Sequence, residues 1–170
     1  MPRIKIEGGH KLTGEINISG AKNSAVALIP AAILCDEEVV INNVPNISDI
    51  DDLENILLHL NAKINRENET VKIDSTSIIN KEITRELSKK LRASYYFMGA
   101  LLGKFKKVEM YFPGGCSIGE RPINLHLKGF ELLGATVEVG KGTISAKASC
   151  LKGAHIYMDV VSVGATINII

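Results

Sequence analysis

Arg92-Ala93-Ser94-Tyr95-Tyr96-Phe97-Met98-Gly99-Ala100-Leu101-Leu102 decides the fold, because a stretch of the same kind opens about seventy residues earlier at Lys22-Asn23-Ser24 and continues as the apolar segment Ala25 to Leu34. Each opening is followed by a short β-type run (Val39-Val40-Ile41; Val108-Glu109-Met110-Tyr111) and then a proline (Pro45; Pro113). A loop, a second amphipathic helix and two short strands joined by a polar turn complete each copy, and Leu60-Asn61-Ala62-Lys63-Ile64 matches Leu133-Gly134-Ala135-Thr136-Val137 after that helix. The unit is αβαββ, with one incoming strand ahead of it. A third opening, Ser162-Val163-Gly164-Ala165-Thr166, stands about seventy residues after Arg92, so the expected repeats are about 22–91, 92–161 and 162–170. The apolar end Ile169-Ile170 carries no helix stop, which reads as a chain truncated inside the third repeat.

Local signals support the partition. Ser48 is expected to cap a helix with Asp49, Asp51 and Asp52 in its first turn and Ile50, Leu53, Leu57 and Leu60 along one face. Pro122 suits the first position of a helix over Ile123 to Leu133, and Gly134 suits a left-handed cap just past it. Asn68-Glu69 and Gly140-Lys141-Gly142 read as hairpin turns, while Pro30 is expected to kink or split the first helix. If the repeats pack with pseudo-threefold symmetry, Lys22, Arg92 and Ser162 start equivalent helices. Free N–H groups and positive potential there would make an anion site.

Composition limits the alternatives. Twenty basic against nineteen acidic residues, with pI near 7.7, leave no electrostatic case for a nucleic-acid or membrane-surface protein. No apolar run approaches twenty residues and no secretory apolar core follows Met1, which points to the cytoplasm. Three cysteines at no metal-type spacing read as free thiols, with Cys35 expected as buried filler and no role assigned to Cys150. Of the four histidines, His126 is read as a packed or capping residue and His10, His59 and His155 as surface residues. No pair has metal-ligand spacing, and neither metal nor cofactor is implied.

The loop Pro113-Gly114-Gly115-Cys116-Ser117-Ile118-Gly119-Glu120-Arg121-Pro122 reads as chemistry. Its glycines let a ligand approach the backbone, and Arg121 would favour the Cys116 thiolate or grip an anion by a two-pronged hydrogen bond. The plainer reading is a glycine-rich turn in which Cys116 is a small apolar filler.

Gly20-Ala21-Lys22-Asn23, Leu91-Arg92-Ala93-Ser94, the Cys116 loop, Leu132-Leu133-Gly134-Ala135 and Ser162-Val163-Gly164-Ala165-Thr166 together resemble the UDP-N-acetylglucosamine 1-carboxyvinyltransferase (MurA) family of enolpyruvyl transferases. The resemblance runs over the entire chain. It implies an inside-out α/β barrel domain of repeated αβαββ units, helices inside and sheets outside, cut short in the third repeat. Residues 1–21 would hold strand sequence of a second, mostly absent domain, and 22–170 the incomplete three-repeat domain. It further implies transfer of the enolpyruvyl group from phosphoenolpyruvate to the 3-hydroxyl of UDP-N-acetylglucosamine, the first committed step of peptidoglycan synthesis.

By the same resemblance, Cys116 on a mobile loop is the acid that protonates the phosphoenolpyruvate methylene, or the thiol that adds to it, and the residue alkylated by fosfomycin. Lys22 would bind the phosphate, Arg121 the same anion or the nucleotide sugar, Asn23 the sugar, and Arg92 the uridine diphosphate side. The backbone of Arg121, Pro122, Ile123, Asn124 and Leu125, and of Ser162, Val163 and Gly164, would meet the uridine nucleotide. The general base and another arginine are implied beyond residue 170. Glu120 departs from the family by placing a charge that opposes the effect of Arg121 on Cys116. Val160 stands where some members have a cation, so contact there would rest on backbone groups. The alternatives are the sister 3-phosphoshikimate 1-carboxyvinyltransferase, which the Cys loop argues against, and a non-catalytic αβαββ nucleotide-binding module.

Overall fold

The computed structural model describes residues 3–114 and 123–170. The first unit comprises α1 (Lys22–Ala31), β1 (Val39–Ile41), α2 (Ser48–His59), β2 (Lys63–Glu67) and β3 (Thr70–Asp74). After a short helix α3 (Arg85–Lys90), the second contains α4 (Tyr96–Phe105), β4 (Lys107–Tyr111), α5 (Asn124–Leu132), β5 (Thr136–Val139) and β6 (Thr143–Lys147). Helix α6 (Val163–Ile169) follows.

The two units share one topology. Their sheets run in the orders β1-β3-β2 and β4-β6-β5, all antiparallel, so the last strand of each unit lies between the other two. Val40 faces Lys72 and Ile64 faces Ile73 in the first sheet, while Met110 faces Ile144 and Val137 faces Ala146 in the second. In both central strands alternate residues turn inward, Val71 and Ile73 in β3 and Ile144 and Ala146 in β6, as the two-residue period of a half-covered sheet requires. Both hairpin turns form as the sequence indicates. Asn68 adopts φ 53° between β2 and β3, and Gly142 adopts φ 96° between β5 and β6.

The helices supply the centre. Along α2, Ile50, Leu53, Ile56 and Leu57, with Leu60 just beyond, are fully buried, and each such side chain contributes roughly 1.5–3 kcal/mol of transfer free energy. Helix α4 buries Tyr96, Phe97, Met98, Ala100, Leu101 and Leu102, more than one face, because α1, α6 and β4 all pack on it. Helix α5 ends as the sequence indicates, with Gly134 at φ 98°, and the Ala135 N–H donates to the Phe130 carbonyl.

The cap of α2 and the burial of Cys35 differ from the sequence expectations. The cap position of α2 is Ile47, in extended backbone, so Ser48 is the first helical residue and makes no side-chain cap bond. The helical run divides just after Pro30, in keeping with the expected split. Pro30 lies in the last turn of α1, which ends at Ala31, and the chain continues as a 3₁₀ turn at Ala32–Leu34. Cys35 is exposed because its backbone is extended (φ −85°, ψ 148°), leaving Ala32 and Ile33 to fill the core. The segment Arg3–Ile18 forms no strand. With no neighbouring strand to complete a ladder, Ile4, Ile6, Leu12, Ile16 and Ile18 stay exposed. Helix α3 has no counterpart in the sequence expectations, although Thr84 caps it through the Leu87 N–H and Lys89 and Lys90 close its last turn, as the helix dipole favours.

Candidate functional site

The three repeat openings all fall at helix starts. Lys22 is the first residue of α1 and exposed, Arg92 opens a 3₁₀ turn (Arg92–Tyr95) that runs into α4, and Ser162 caps α6. The Ser162 hydroxyl accepts from the Ala165 N–H at 3.3 Å. Helix α1 packs on α4 and α4 on α6. The second and third openings adjoin, since a Cβ on Gly164 would stand 2.6 Å from the Tyr95 hydroxyl.

Lys22 is not left in open solvent. Its ammonium pairs with Asp49 in the first turn of α2, joining the two helices of the first unit at their N-terminal ends. Asn23 follows on the exposed first turn. An ammonium held beside helix N–H groups offers a combined cationic and hydrogen-bonding surface to an anion, and the carboxylate partner is displaceable at a half-exposed site.

Cys116, Arg121 and Pro122 lie outside the described residues, as does Glu120. The root of their loop is described. The Gly114 N–H donates to the Ser88 carbonyl at 3.0 Å, and the Ser94 hydroxyl donates to that same carbonyl at 3.1 Å. Gly114 is two residues before Cys116 and Ser94 two after Arg92, so one buried acceptor ties the thiol loop to the Arg92 turn. Beyond the loop, Ile123 is half-buried, Asn124 exposed and Leu125 buried at the start of α5.

His126 is buried, as its reading as a packed residue expects, and its ring lies against Tyr95 with centroids 4.6 Å apart. Burial first, and the nearby Arg92 charge second, push the imidazole down to about 4, so it is neutral near pH 7. His10 and His155 are exposed. His59 is half-buried, and its Nε2 donates to the Glu82 carbonyl at 2.8 Å. Val163 and Gly164 begin α6, and Val160 is exposed. Among the described residues, no group of three His, Cys, Asp or Glu is arranged to hold a metal ion. None of the described helices is long and apolar enough to cross a membrane. Sequence reasoning missed Asp49, which it read only as a helix-start charge, and Asn168, which carried no recognisable motif.

Known proteins carry the same architecture. The family model described as EPSP synthase (3-phosphoshikimate 1-carboxyvinyltransferase) matches residues 6–170. A protein of Oceanobacillus iheyensis named UDP-N-acetylglucosamine 1-carboxyvinyltransferase 2 is 53% identical over 169 residues, covering 99% of this chain and 40% of that protein. One of the same name from Bacillus subtilis is also 53% identical over 169 residues, covering 99% of this chain and 39% of the relative. The chain thus spans about 40% of the length of the curated relatives it matches. Among solved structures, the enolpyruvyl transferase NikO from Streptomyces tendae superposes with TM-score 0.72 at 24% identity, over 85% of this chain and 32% of that one. An EPSP synthase from Acinetobacter baumannii gives 0.70 at 17% identity, over 92% and 37%. These two likenesses are likenesses of fold.

Proposed function

Since the chain belongs to the EPSP synthase (3-phosphoshikimate 1-carboxyvinyltransferase) family, we propose that it forms the nucleotide-sugar and phosphoenolpyruvate side of a UDP-N-acetylglucosamine 1-carboxyvinyltransferase. The observation that carries this reading is identity of 53% across nearly the whole chain with proteins of that name. In that role it serves cytoplasmic peptidoglycan synthesis, and through it cell-wall growth and division, and Cys116 is the residue fosfomycin alkylates. The proposed division is 1–21 as sequence that pairs with a second domain, and 22–170 as an α/β domain of about 22–91, 92–161 and 162–170.

The chemistry assigns the roles. Adding the sugar 3-hydroxyl across the enol double bond delivers a proton to the methylene carbon and forms a C–O bond at the carbon bearing phosphate. Loss of phosphate and of one methyl proton then restores the vinyl group. Cys116 supplies the proton, and Lys22 and Arg121 balance charge on the phosphate and carboxylate. Asn23 meets the sugar and Arg92 the diphosphate, while the backbone at 121–125 and 162–164 meets the uridine. The base that receives the hydroxyl proton, and a second wall to exclude water, belong to sequence that the relatives possess outside the aligned 40%.

The test joins this chain to the remaining length of the Bacillus subtilis relative and follows phosphate release from phosphoenolpyruvate. Turnover with UDP-N-acetylglucosamine, lost in Cys116→Ala, is expected of the chimera, and none of the chain alone. Turnover with 3-phosphoshikimate instead would favour the sister reaction, and binding without turnover would favour the non-catalytic module.

A further inference from the structure

Helices α4, α5 and α6 meet at one buried carboxamide, that of Asn168. Its donor and acceptor ends are fixed by partners with no choice of role. The Gly99 N–H can only donate, and it reaches Oδ1 at 3.0 Å, while the Tyr95 carbonyl can only accept, and Nδ2 reaches it at 3.0 Å. The Asn168 side chain therefore meets both members of the 95/99 pair that an α-helix would join to each other. Nδ2 has a second hydrogen, and it points at Nδ1 of His126, 2.9 Å away. A nitrogen that accepts a hydrogen bond carries no proton, which leaves the proton of the neutral ring on Nε2.

Three segments are joined through this one group. Tyr95 closes the turn that opens at Arg92, His126 stands one residue beyond the 121–125 segment, and Asn168 belongs to the helix that Ser162 caps. Close approach is built into the same junction. A Cβ on Gly99 would collide with the Asn168 carbonyl and Oδ1, and one on Gly129 with Ile169. Arg92 is the charge facing the His126 ring, and Tyr95 covers its face.

We propose that Asn168 is a positioning residue that fixes Arg92, the start of α5 and the start of α6 in one frame, and that it holds His126 as the neutral Nε2–H tautomer. A neutral ring keeps a second positive charge away from Arg92 and carries its N–H donor at Nε2. The role in binding rests on the functional reading above, since those three segments are the ones assigned to the nucleotide.

The experiment is ¹⁵N detection of the His126 ring in the chain between pH 4 and 8, combined with titration by UDP and by UDP-N-acetylglucosamine. In the unmodified chain Nδ1 is expected without a proton and Nε2 with one throughout the upper part of that range. Asn168→Asp keeps the acceptor toward Gly99 but sets a carboxylate against Nδ1, so the proton should move to Nδ1 and the ring should titrate about one unit or more higher. The same variant should bind UDP about tenfold more weakly, a loss of about 1.4 kcal/mol. A protonated Nδ1 in the unmodified chain, which needs no variant to observe, would overturn the proposal. So would a shifted titration with unchanged UDP affinity, which would reduce Asn168 to a structural role. Absence of UDP binding by the unmodified chain would count against the functional reading, and the tautomer result would then separately decide the frame.

Discussion

Replacing Gly99 by alanine sets two opposed effects on one helix, and the structure says which wins. Alanine in a helix interior is favoured over glycine by about 0.8–1 kcal/mol. The new methyl group, however, would overlap the backbone carbonyl of Asn168 as well as its Oδ1, and a backbone atom moves only if α6 moves. Overpacking of that kind costs about 1–3 kcal/mol, and displacing Asn168 forfeits two hydrogen bonds of about 1 kcal/mol each. The expected sum is a loss of about 2–4 kcal/mol, concentrated in α6. Gly103 in the same helix provides the control, because a Cβ there meets only the far end of the Leu34 side chain at 3.0 Å. Gly103→Ala should gain up to about 1 kcal/mol of helix propensity. Urea denaturation gives the totals, and amide exchange across Ala165 to Ile169 shows whether α6 has undocked. If Gly99→Ala matched Gly103→Ala in stability and left those amides protected, close packing of α6 on α4 at Gly99 would be refuted.

Three further outcomes are expected. His126 binds its proton less readily in the folded chain than in the unfolded one, so the unfolded state takes up the extra proton and stability falls as pH drops from about 6.5 to about 4, by at most about 3 kcal/mol. A stability profile against pH that is equally steep in His126→Phe would remove that assignment. Glu54 has one carboxylate oxygen without a hydrogen-bond partner, sits 3.6 Å from Arg66, and has its pKa raised chiefly by burial, so its contribution to stability declines as pH rises past the usual carboxylate range. Glu54→Gln should be neutral or slightly stabilising at pH 7 and lose its advantage near pH 4, and a clear destabilisation at pH 7 would show the Arg66 pair to be the stronger effect. Cys35 and Cys150 are exposed and should both react with a small alkylating reagent, whereas fosfomycin with UDP-N-acetylglucosamine should modify Cys116 alone in the chimera. Peptide mapping that found fosfomycin on either of the other thiols would detach Cys116 from the chemistry.

The sequence by itself determined the αβαββ unit, both hairpins, the core face of α2 and the left-handed stop at Gly134. Each depends on signals within a few residues, namely apolar spacing, a turn dipeptide, or a glycine at positive φ. It also placed Lys22, Arg92 and Ser162 at helix starts, because a repeat transfers position from one copy to the next. What only the tertiary structure decided depends on groups distant along the chain. Cys35 lies outside the core because the backbone turns extended there, just past the 3₁₀ turn, and within this chain Arg3–Ile18 forms no strand because a strand exists only with a neighbour to bond to. The pairing of Lys22 with Asp49, the Ser88 carbonyl shared by Gly114 and Ser94, and the Asn168 junction bring together residues up to 27, 26 and 73 positions apart, for which hydrogen-bonding geometry in the folded chain, not local sequence, selects the partners.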